Sequence, residues 1–166
     1  SAVYYPATGI IGELYNISIG VGYTMPFQLI CASWIEADKF CDRLNALNLK
    51  GVVFRPIHIK PFYSQSKGEN IQGVQLYITD VLDAELTMIQ FHAMEILAEM
   101  YPDKRLLDEN GQGTLGNRWR MFDLVCGTNK IRLEFSKNYK VADIKEYWDK
   151  DVDAFKEKSK KYYLYK

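Results

Sequence analysis

The chain has 166 residues, of which 48% are hydrophobic and 25% charged, and its 21 basic residues balance its 21 acidic ones. This composition is typical of one globular domain with a sizeable core. The zero net charge argues against a general electrostatic grip on nucleic acid or an anionic membrane, and no apolar run approaches the roughly 20 residues that span a bilayer. Its widely spaced cysteines form no CxxC pair and argue against a zinc site or a disulfide framework: Cys31, Cys41 and Cys126.

The segment 12–27, GELYNISIGVGYTMPF, is rich in glycine and in hydroxyl side chains. Gly20 and Gly22 do not fit the dinucleotide-binding pattern G-x-G-x-x-G, and the segment lacks the lysine of a P-loop. Two interpretations remain open: a structural loop whose glycines adopt positive φ, or a loop that lines a ligand cleft. The hydrogen-bonding groups it would offer to a ligand are Asn16, Ser18 and Thr24.

The first half of the chain predicts a strand, a helix and two further strands. A buried strand is predicted at 26–34, and a helix at 35–51, where apolar residues recur at helical spacing. The β-branched segment 51–62 predicts a strand, and its two prolines favour the edge of a sheet. After a polar loop, the alternating apolar and polar residues of 73–80 predict a half-buried strand.

The second half of the chain predicts helices. The apolar stripe of 84–103 indicates a helix, followed by a glycine-bearing loop at 104–119. Short helical pieces are expected at 121–138, and a long amphipathic helix at 141–165. The first strand–helix–strand unit fits a right-handed parallel crossover, and the second and third strands fit a hairpin. The predicted fold class is α+β: a small mixed β-sheet packed against several α-helices, with the long amphipathic C-terminal helix at its end.

The residues alone show no complete catalytic set. The nucleophile motif GxSxG is absent. Arg55 lies in an apolar strand and needs an anionic partner, either a ligand carboxylate or an acidic residue on a neighbouring element. Asp80 and Asp83 stand near a strand end, where Asp80 is also a routine turn residue. His92 is expected to face solvent or to be satisfied locally, so none of these residues indicates a reaction.

Five segments, in order along the chain, resemble one known family. They are YPATGIIGELYNISIGVGYTMPFQLICASWI, LNALNLKGVVFRP, PFYSQSKGENIQGVQLYITD, MFDLVCGTNKIR and YWDKDVDAFKEKSKKYYLY. Together they cover nearly the whole chain. They resemble the C-terminal domain of the NamZ-type exo-β-N-acetylmuramidases, a family long catalogued as a domain of unknown function.

The resemblance implies that residues 1–166 form a single domain, the C-terminal auxiliary domain of a longer two-domain protein. In the family, a larger Rossmann-like N-terminal domain carries the catalytic glutamate, and the substrate cleft lies between the two domains. By this resemblance the chain alone is not catalytic, uses no cofactor or metal, and forms one wall of a cleft for a peptidoglycan-derived sugar. A periplasmic or cell-surface location, with an export signal upstream, is also implied.

The resemblance further implies which residues contact the substrate. The matching polar positions are Asn16, Ser18, Thr24, Arg55 and Gln75. Trp34 and Phe54 also match the family pattern, and we expect both in the core.

The chain departs from the family pattern in the loop of residues 12–27. Ile19, Val21 and Met25 stand where the pattern has charged residues. A charge-assisted hydrogen bond contributes about 1.5–3 kcal/mol. Loss of the charged residues is therefore expected to weaken recognition of the lactyl carboxylate of muramic acid. These three side chains are instead expected to pack against the missing domain.

Three functional hypotheses follow. The first is the glycosidase auxiliary domain. The alternative is a non-catalytic binding or interaction module without glycosidase activity, whose loop contacts another protein through apolar residues. An intact small enzyme is the least favoured, since the chain shows no catalytic set.

Overall fold

The computed structural model describes residues 2–63, 66–108, 111 and 116–164. Residue 165 of the predicted last helix, and 109–110 and 112–115 of the predicted loop, lie outside this range. The helices are α1 (Tyr5–Gly12), α2 (Ala37–Ala46), α3 (Leu86–Met100), α4 (Trp119–Cys126), α5 (Lys130–Asn138), α6 (Val141–Asp149) and α7 (Val152–Ser159), with 3-10 turns at Pro102–Lys104 and Lys160–Tyr162. The strands are β1 (Leu29–Ala32), β2 (Val52–Ile59) and β3 (Ile71–Ile78). No helix within the described residues is long and apolar enough to cross a membrane.

The predicted α+β class is confirmed. Every strand and helix predicted between residues 26 and 138 is present, with bounds shifted by a few residues. The long C-terminal helix is also present, as α6 and α7 separated by two residues. Helix α1 was not predicted. It precedes the glycine-rich loop and has Pro6 in its first turn, where the missing amide hydrogen costs no hydrogen bond.

The sheet has the strand order β1–β3–β2, and both neighbouring pairs are antiparallel. β2 is therefore an edge strand, as its prolines predicted, and β2 with β3 forms the predicted hairpin. Strands β1 and β2 run in the same direction, as the crossover prediction required. The sheet is nevertheless antiparallel at every pairing rather than mixed, because β3 lies between those two strands.

One face of the sheet packs against the helices and forms the main core. Ile30, Val74 and Leu76 contribute from this face, and each is fully buried. In the helical layer Phe91 of α3 makes edge contacts with the rings of Phe122, Phe135 and Trp148, with centroids 6.2, 5.3 and 5.3 Å away. Phe54 is buried in this core, and Trp34 packs against it partly buried, as expected for both.

The fully buried Gln90 of α3 ties α1 to the core. Its Oε1 accepts hydrogen bonds from the backbone N–H groups of Ile10 and Ile11, at 2.9 and 3.1 Å. Its Nε2 donates to the backbone carbonyl of Pro6 at 2.8 Å. A side chain on the third helix thus satisfies backbone groups of the first, which explains why local sequence alone did not predict α1.

A partly buried ion pair joins α5 to α4, and its arginine also holds Gly111. The guanidinium of Arg132 donates to both carboxylate oxygens of Asp123, at 2.7 and 2.8 Å, and to the carbonyl of Gly111 at 2.9 Å. The same guanidinium lies 4.5 Å from the ring centroid of Trp119. Arg132 and Asp123 both belong to MFDLVCGTNKIR, one of the five segments that resemble the family. This segment therefore has a structural role.

Candidate functional site

The face of the sheet turned away from the main core divides into a covered half and an open half. In the covered half, Leu29, Cys31, Ile59 and Ile71 form a second small apolar cluster. Tyr23 and Met25, from the loop before β1, pack over this cluster. Burial raises the pKa of the Cys31 thiol to about 12, so it stays protonated at neutral pH.

The open half carries a connected set of polar side chains. Arg55 of β2 and Gln75 of β3 are direct partners across the two strands. The Nε of Arg55 donates to Gln75 Oε1 at 2.8 Å, and the hydroxyl of Tyr77 donates to the same oxygen at 3.2 Å. Gln75 Nε2 in turn donates to Gln28 Oε1 at 3.3 Å. We call Gln28, Arg55, Gln75 and Tyr77 the sheet-face cluster.

Arg55 is exposed, and its guanidinium carbon lies 5.4 Å from the ring centroid of Tyr77. The sequence left open whether a neighbouring acidic residue pairs with this arginine. Within the part of the chain that the structure describes, no carboxylate lies within ion-pair distance of Arg55. Its hydrogen bond to Gln75 uses Nε, and within the described residues no hydrogen bond involves its terminal nitrogens, which are therefore suited to an external anion.

The glycine-rich loop folds tightly over the sheet edge. Gly20 and Gly22 have φ values of 87° and 92°, so the structural interpretation of these glycines is confirmed. A Cβ at Gly20 would lie 2.2 Å from the carbonyl oxygen of Met25, so no larger residue fits there. The loop also donates a hydrogen bond from Phe27 N to Ile19 O at 2.7 Å and thereby closes on itself.

The structure brings together two of the five predicted site residues, Arg55 and Gln75. Thr24 is exposed on the loop that covers the same face of the sheet. Ser18 lies elsewhere: it is 3% exposed and pairs through its backbone with Cys31, on the side of β1 away from β3. Three strand spacings of about 4.8 Å place the Ser18 backbone about 14 Å from β2. Asn16 is half-buried beside Ser18.

The apolar departures of the loop face inward. Ile17 and Ile19 belong to the main core, with exposures of 0% and 9%, and Val21 packs against it. Met25 packs against the second cluster. The expectation of docking onto a missing domain is therefore wrong for the buried Ile19, whereas Val21 and Met25 have partners inside the chain and remain partly exposed.

The other polar residues considered from the sequence have local roles. Asp80 Oδ1 accepts hydrogen bonds from the N–H groups of Leu82 and Asp83, at 2.8 and 3.3 Å, which makes it a turn residue. His92 is half-buried, and burial lowers its pKa, with Glu95 and Glu85 opposing that shift. Neither residue contacts the sheet-face cluster.

Sequence reasoning missed two members of the cluster, Gln28 and Tyr77. The alternation of β3 contained the signal for Tyr77, because residues two apart on a strand share a face and Gln75 was already a candidate. Gln28 lies before β1, and only the pairing of β1 with β3 brings it near Gln75. Its carbonyl extends that pairing by accepting from Leu76 N at 2.8 Å.

Comparisons with known proteins agree with this architecture. Residues 3–165 match the family model described as exo-beta-N-acetylmuramidase NamZ, C-terminal. The chain belongs to this NamZ C-terminal family. It is 33% identical over 165 residues to the peptidoglycan beta-N-acetylmuramidase NamZ of Bacillus subtilis (strain 168), covering 99% of this chain and 37% of that protein.

A solved structure is also similar over nearly the whole chain. It is the crystal structure of a DUF1343 family protein from Bacteroides fragilis NCTC 9343 at 1.65 Å, with 50% sequence identity and a TM-score of 0.91. The match covers 99% of this chain and 42% of the Bacteroides chain. The NamZ C-terminal family is thus found in polypeptides more than twice as long as the present chain.

Proposed function

We propose that this chain is the C-terminal auxiliary domain of a two-domain glycoside hydrolase and forms one wall of the cleft that binds a peptidoglycan-derived sugar. Membership of the NamZ C-terminal family supports this role. The lengths of both relatives leave room for a separate, larger N-terminal domain, which would carry the catalytic carboxylate. The parent enzyme would act at the cell wall, in the periplasm or at the cell surface, after export directed by an upstream signal.

The observation that carries the proposal is the availability of the Arg55 guanidinium on an open face of the sheet. N-acetylmuramic acid differs from N-acetylglucosamine by a lactyl group with a carboxylate. The planar fork of an arginine matches a carboxylate through two parallel hydrogen bonds. Gln75 holds Nε of Arg55, so the terminal nitrogens are oriented before a ligand arrives. Arg55 thus supplies the positive charge that the glycine-rich loop lacks.

The rest of the sheet-face cluster suits a sugar. Tyr77 is 38% exposed and presents a ring beside Arg55, and an aromatic face provides apolar contact for the C–H groups of a pyranose. Gln28 and Thr24 add hydrogen-bonding groups at the edge of the same face. Ser18 contributes through the loop backbone that it positions, because its buried hydroxyl accepts a hydrogen bond from Gly20 N at 3.5 Å.

Kinetics of the full-length protein test this assignment. We would compare chromogenic N-acetylmuramides with the matching N-acetylglucosaminides, using Arg55→Ala, Arg55→Lys and, as a control, Arg43→Ala. Arg43 is an exposed arginine on α2 that pairs with Glu99. Losing a charge-assisted contact of about 1.5–3 kcal/mol lowers kcat/KM for the muramide about 10- to 100-fold in Arg55→Ala. Arg55→Lys should retain only part of the wild-type kcat/KM for the muramide, because lysine lacks the planar two-nitrogen fork of arginine.

The two substrates separate the possible outcomes. If Arg55 binds the lactyl carboxylate, Arg55→Ala leaves turnover of the glucosaminide unchanged. Equal loss on both substrates contradicts the carboxylate role but keeps the residue in the cleft. No turnover of either substrate by the wild-type protein favours the alternative, a non-catalytic binding module.

A further inference from the structure

The two halves of the C-terminal helix differ in how they are anchored. In α6, Val141 and Ile144 are buried, and Trp148 contacts Phe91 and donates from Nε1 to Thr87 Oγ1 at 3.2 Å. Helix α7 has no buried residue. From Val152 to Lys158 every side chain is exposed, so α7 packs no side chain into the domain.

The exposed half nevertheless has an apolar stripe. Val152, Phe155 and Tyr162 recur at helical spacing and are 38%, 68% and 69% exposed. Tyr163 and Leu164 follow, at 62% and 89%. An isolated amphipathic helix of this length is marginal in water, and its stability normally comes from the surface on which its apolar stripe packs.

The charges of this segment indicate the character of that surface. Residues 152–164 contain four lysines, at 156, 158, 160 and 161, and two acidic residues, Asp153 and Glu157, which pair with Lys156 and Lys160. The segment is therefore basic within a chain of zero net charge. An apolar surface bordered by acidic residues would complement it.

The length of the relatives argues for a partner within the same polypeptide. The family match extends to residue 165, although residues 152–164 contribute no buried side chain to this domain. The Bacteroides structure aligns with 99% of this chain, so the match includes this segment, and 58% of that longer chain lies outside the aligned region. The part of such polypeptides outside the aligned region would form their other domain, and its surface is the one on which this helix could pack.

We propose that residues 152–164 dock onto the N-terminal domain of the full-length protein and hold the two walls of the cleft in register. Phe155, Tyr162 and Leu164 fill an apolar groove of that domain, and the lysines meet acidic residues at its rim. This inference rests on the two-domain architecture of the proposed function, and it is independent of which sugar is bound.

Site-specific photocrosslinking in the purified full-length protein tests the docking. A p-benzoylphenylalanine replaces Phe155 in one variant and Leu82 in the control, since Leu82 is 92% exposed in the turn after β3. We expect a crosslink within one polypeptide, from position 155 to a peptide outside residues 1–166, and at least about fivefold less of it from position 82. Neither substitution removes a buried side chain, so both proteins should fold.

Other occupants give different products. A crosslinked dimer joining position 155 to residues 1–166 of a second molecule overturns the proposal in favour of self-association. Absence of any protein crosslink also overturns it, and co-sedimentation of the protein with phosphatidylglycerol vesicles would then assign the helix to a membrane surface. Because the crosslink is independent of turnover, a protein that fails the muramide assay can still show it.

The tail also predicts a protease pattern that serves as a second measurement. Trypsin cleaves after lysine, and four lysines lie within residues 156–161. In the full-length protein, Phe155→Asp combined with Leu164→Asp should speed cleavage there at least about tenfold, whereas Leu82→Asp should not. Equal cleavage rates in wild type and the double variant contradict a docked tail.

Discussion

The two faces of the small sheet differ in the side chains that they carry. The face toward the helices is apolar along its length, and Ile30, Val74 and Leu76 are fully buried on it. The opposite face is apolar under Tyr23 and Met25, and beyond them it presents the sheet-face cluster and the exposed Val53. Residues adjacent in β3 therefore alternate between the buried core and the face proposed to bind a ligand, which a strand allows because its side chains point to opposite faces.

The comparison explains why a polar arginine is tolerated in an apolar strand. On the helix-covered face an unpaired guanidinium would carry a large desolvation cost. On the open face Arg55 stays hydrated and needs only Gln75 to orient it. The same reasoning predicts that substitutions on the helix-covered face mainly change the free energy of unfolding, whereas substitutions on the open face mainly change ligand binding.

The largest expected effect is on the face of the sheet that packs against the helices. Leu76→Ala removes a fully buried side chain and should lower the free energy of unfolding by about 3 kcal/mol, through lost burial and a residual cavity. Tyr77→Ala, at the next residue on the open face, is the matched control and should cost less than about 1 kcal/mol. Urea denaturation followed by circular dichroism measures both. Similar losses for the two variants would mean that the faces are not distinct.

A somewhat smaller effect on the free energy of unfolding is expected where β1 pairs with β3. A Cβ at Gly73 would lie 2.0 Å from the carbonyl oxygen of Ile30, so Gly73→Ala forces the two strands apart. We expect a loss of about 2 kcal/mol, from the same denaturation experiment. Gly68→Ala is the control, since Gly68 has φ 76° and a Cβ added there would meet no heavy atom within 4 Å, leaving only the backbone cost of about 1 kcal/mol.

Gln75→Leu sharpens the contrast between stability and recognition. Gln75 is 4% exposed but belongs to the open face. Leucine fills a similar volume and removes the acceptor for Arg55 and Tyr77, both of which water can reach. We expect a stability change of about 1 kcal/mol, together with a reduced kcat/KM for the muramide in the full-length protein because Arg55 is no longer oriented. A variant with unchanged kinetics would show that Arg55 needs no support from Gln75.

The smallest effect concerns Cys31 and pH. Burial raises the pKa of this thiol from 9.0 to about 12 in the folded chain, so the folded state holds the proton more tightly than the unfolded one. The associated stability is fully present below pH 9 and is lost as the pH rises toward 12. Between about pH 7 and 8.5 Cys31 should therefore add no pH dependence to the melting temperature, and it should resist alkylation until the chain unfolds. Rapid alkylation of the folded chain at about pH 8 would show that the loop carrying Tyr23 and Met25 opens.

The sequence was informative wherever local chemistry determines structure. The strand and helix periodicities, the edge position of the proline-bearing β2 and the positive φ of Gly20 and Gly22 were all predicted correctly. Each depends on residues near one another in the chain.

The errors occurred where distant residues decide the outcome. Helix α1 depends on Gln90, 80 residues away from Ile10. The inward packing of Ile19 depends on the core formed by the helices. Family resemblance predicted Arg55 and Gln75 for one site, and the structure adds that they touch, whereas Ser18 is buried within its own loop. Position in a family motif therefore did not distinguish an exposed side chain such as Arg55 from a buried one such as Ser18.

The most direct test of the account is a crystal structure of the full-length protein with bound N-acetylmuramic acid. The account predicts that the lactyl carboxylate lies about 3 Å from the terminal nitrogens of Arg55, with the sugar against Tyr77 and the second domain on its other side. A sugar bound away from the sheet-face cluster, or a second domain that covers Arg55 completely without any ligand between them, would contradict it.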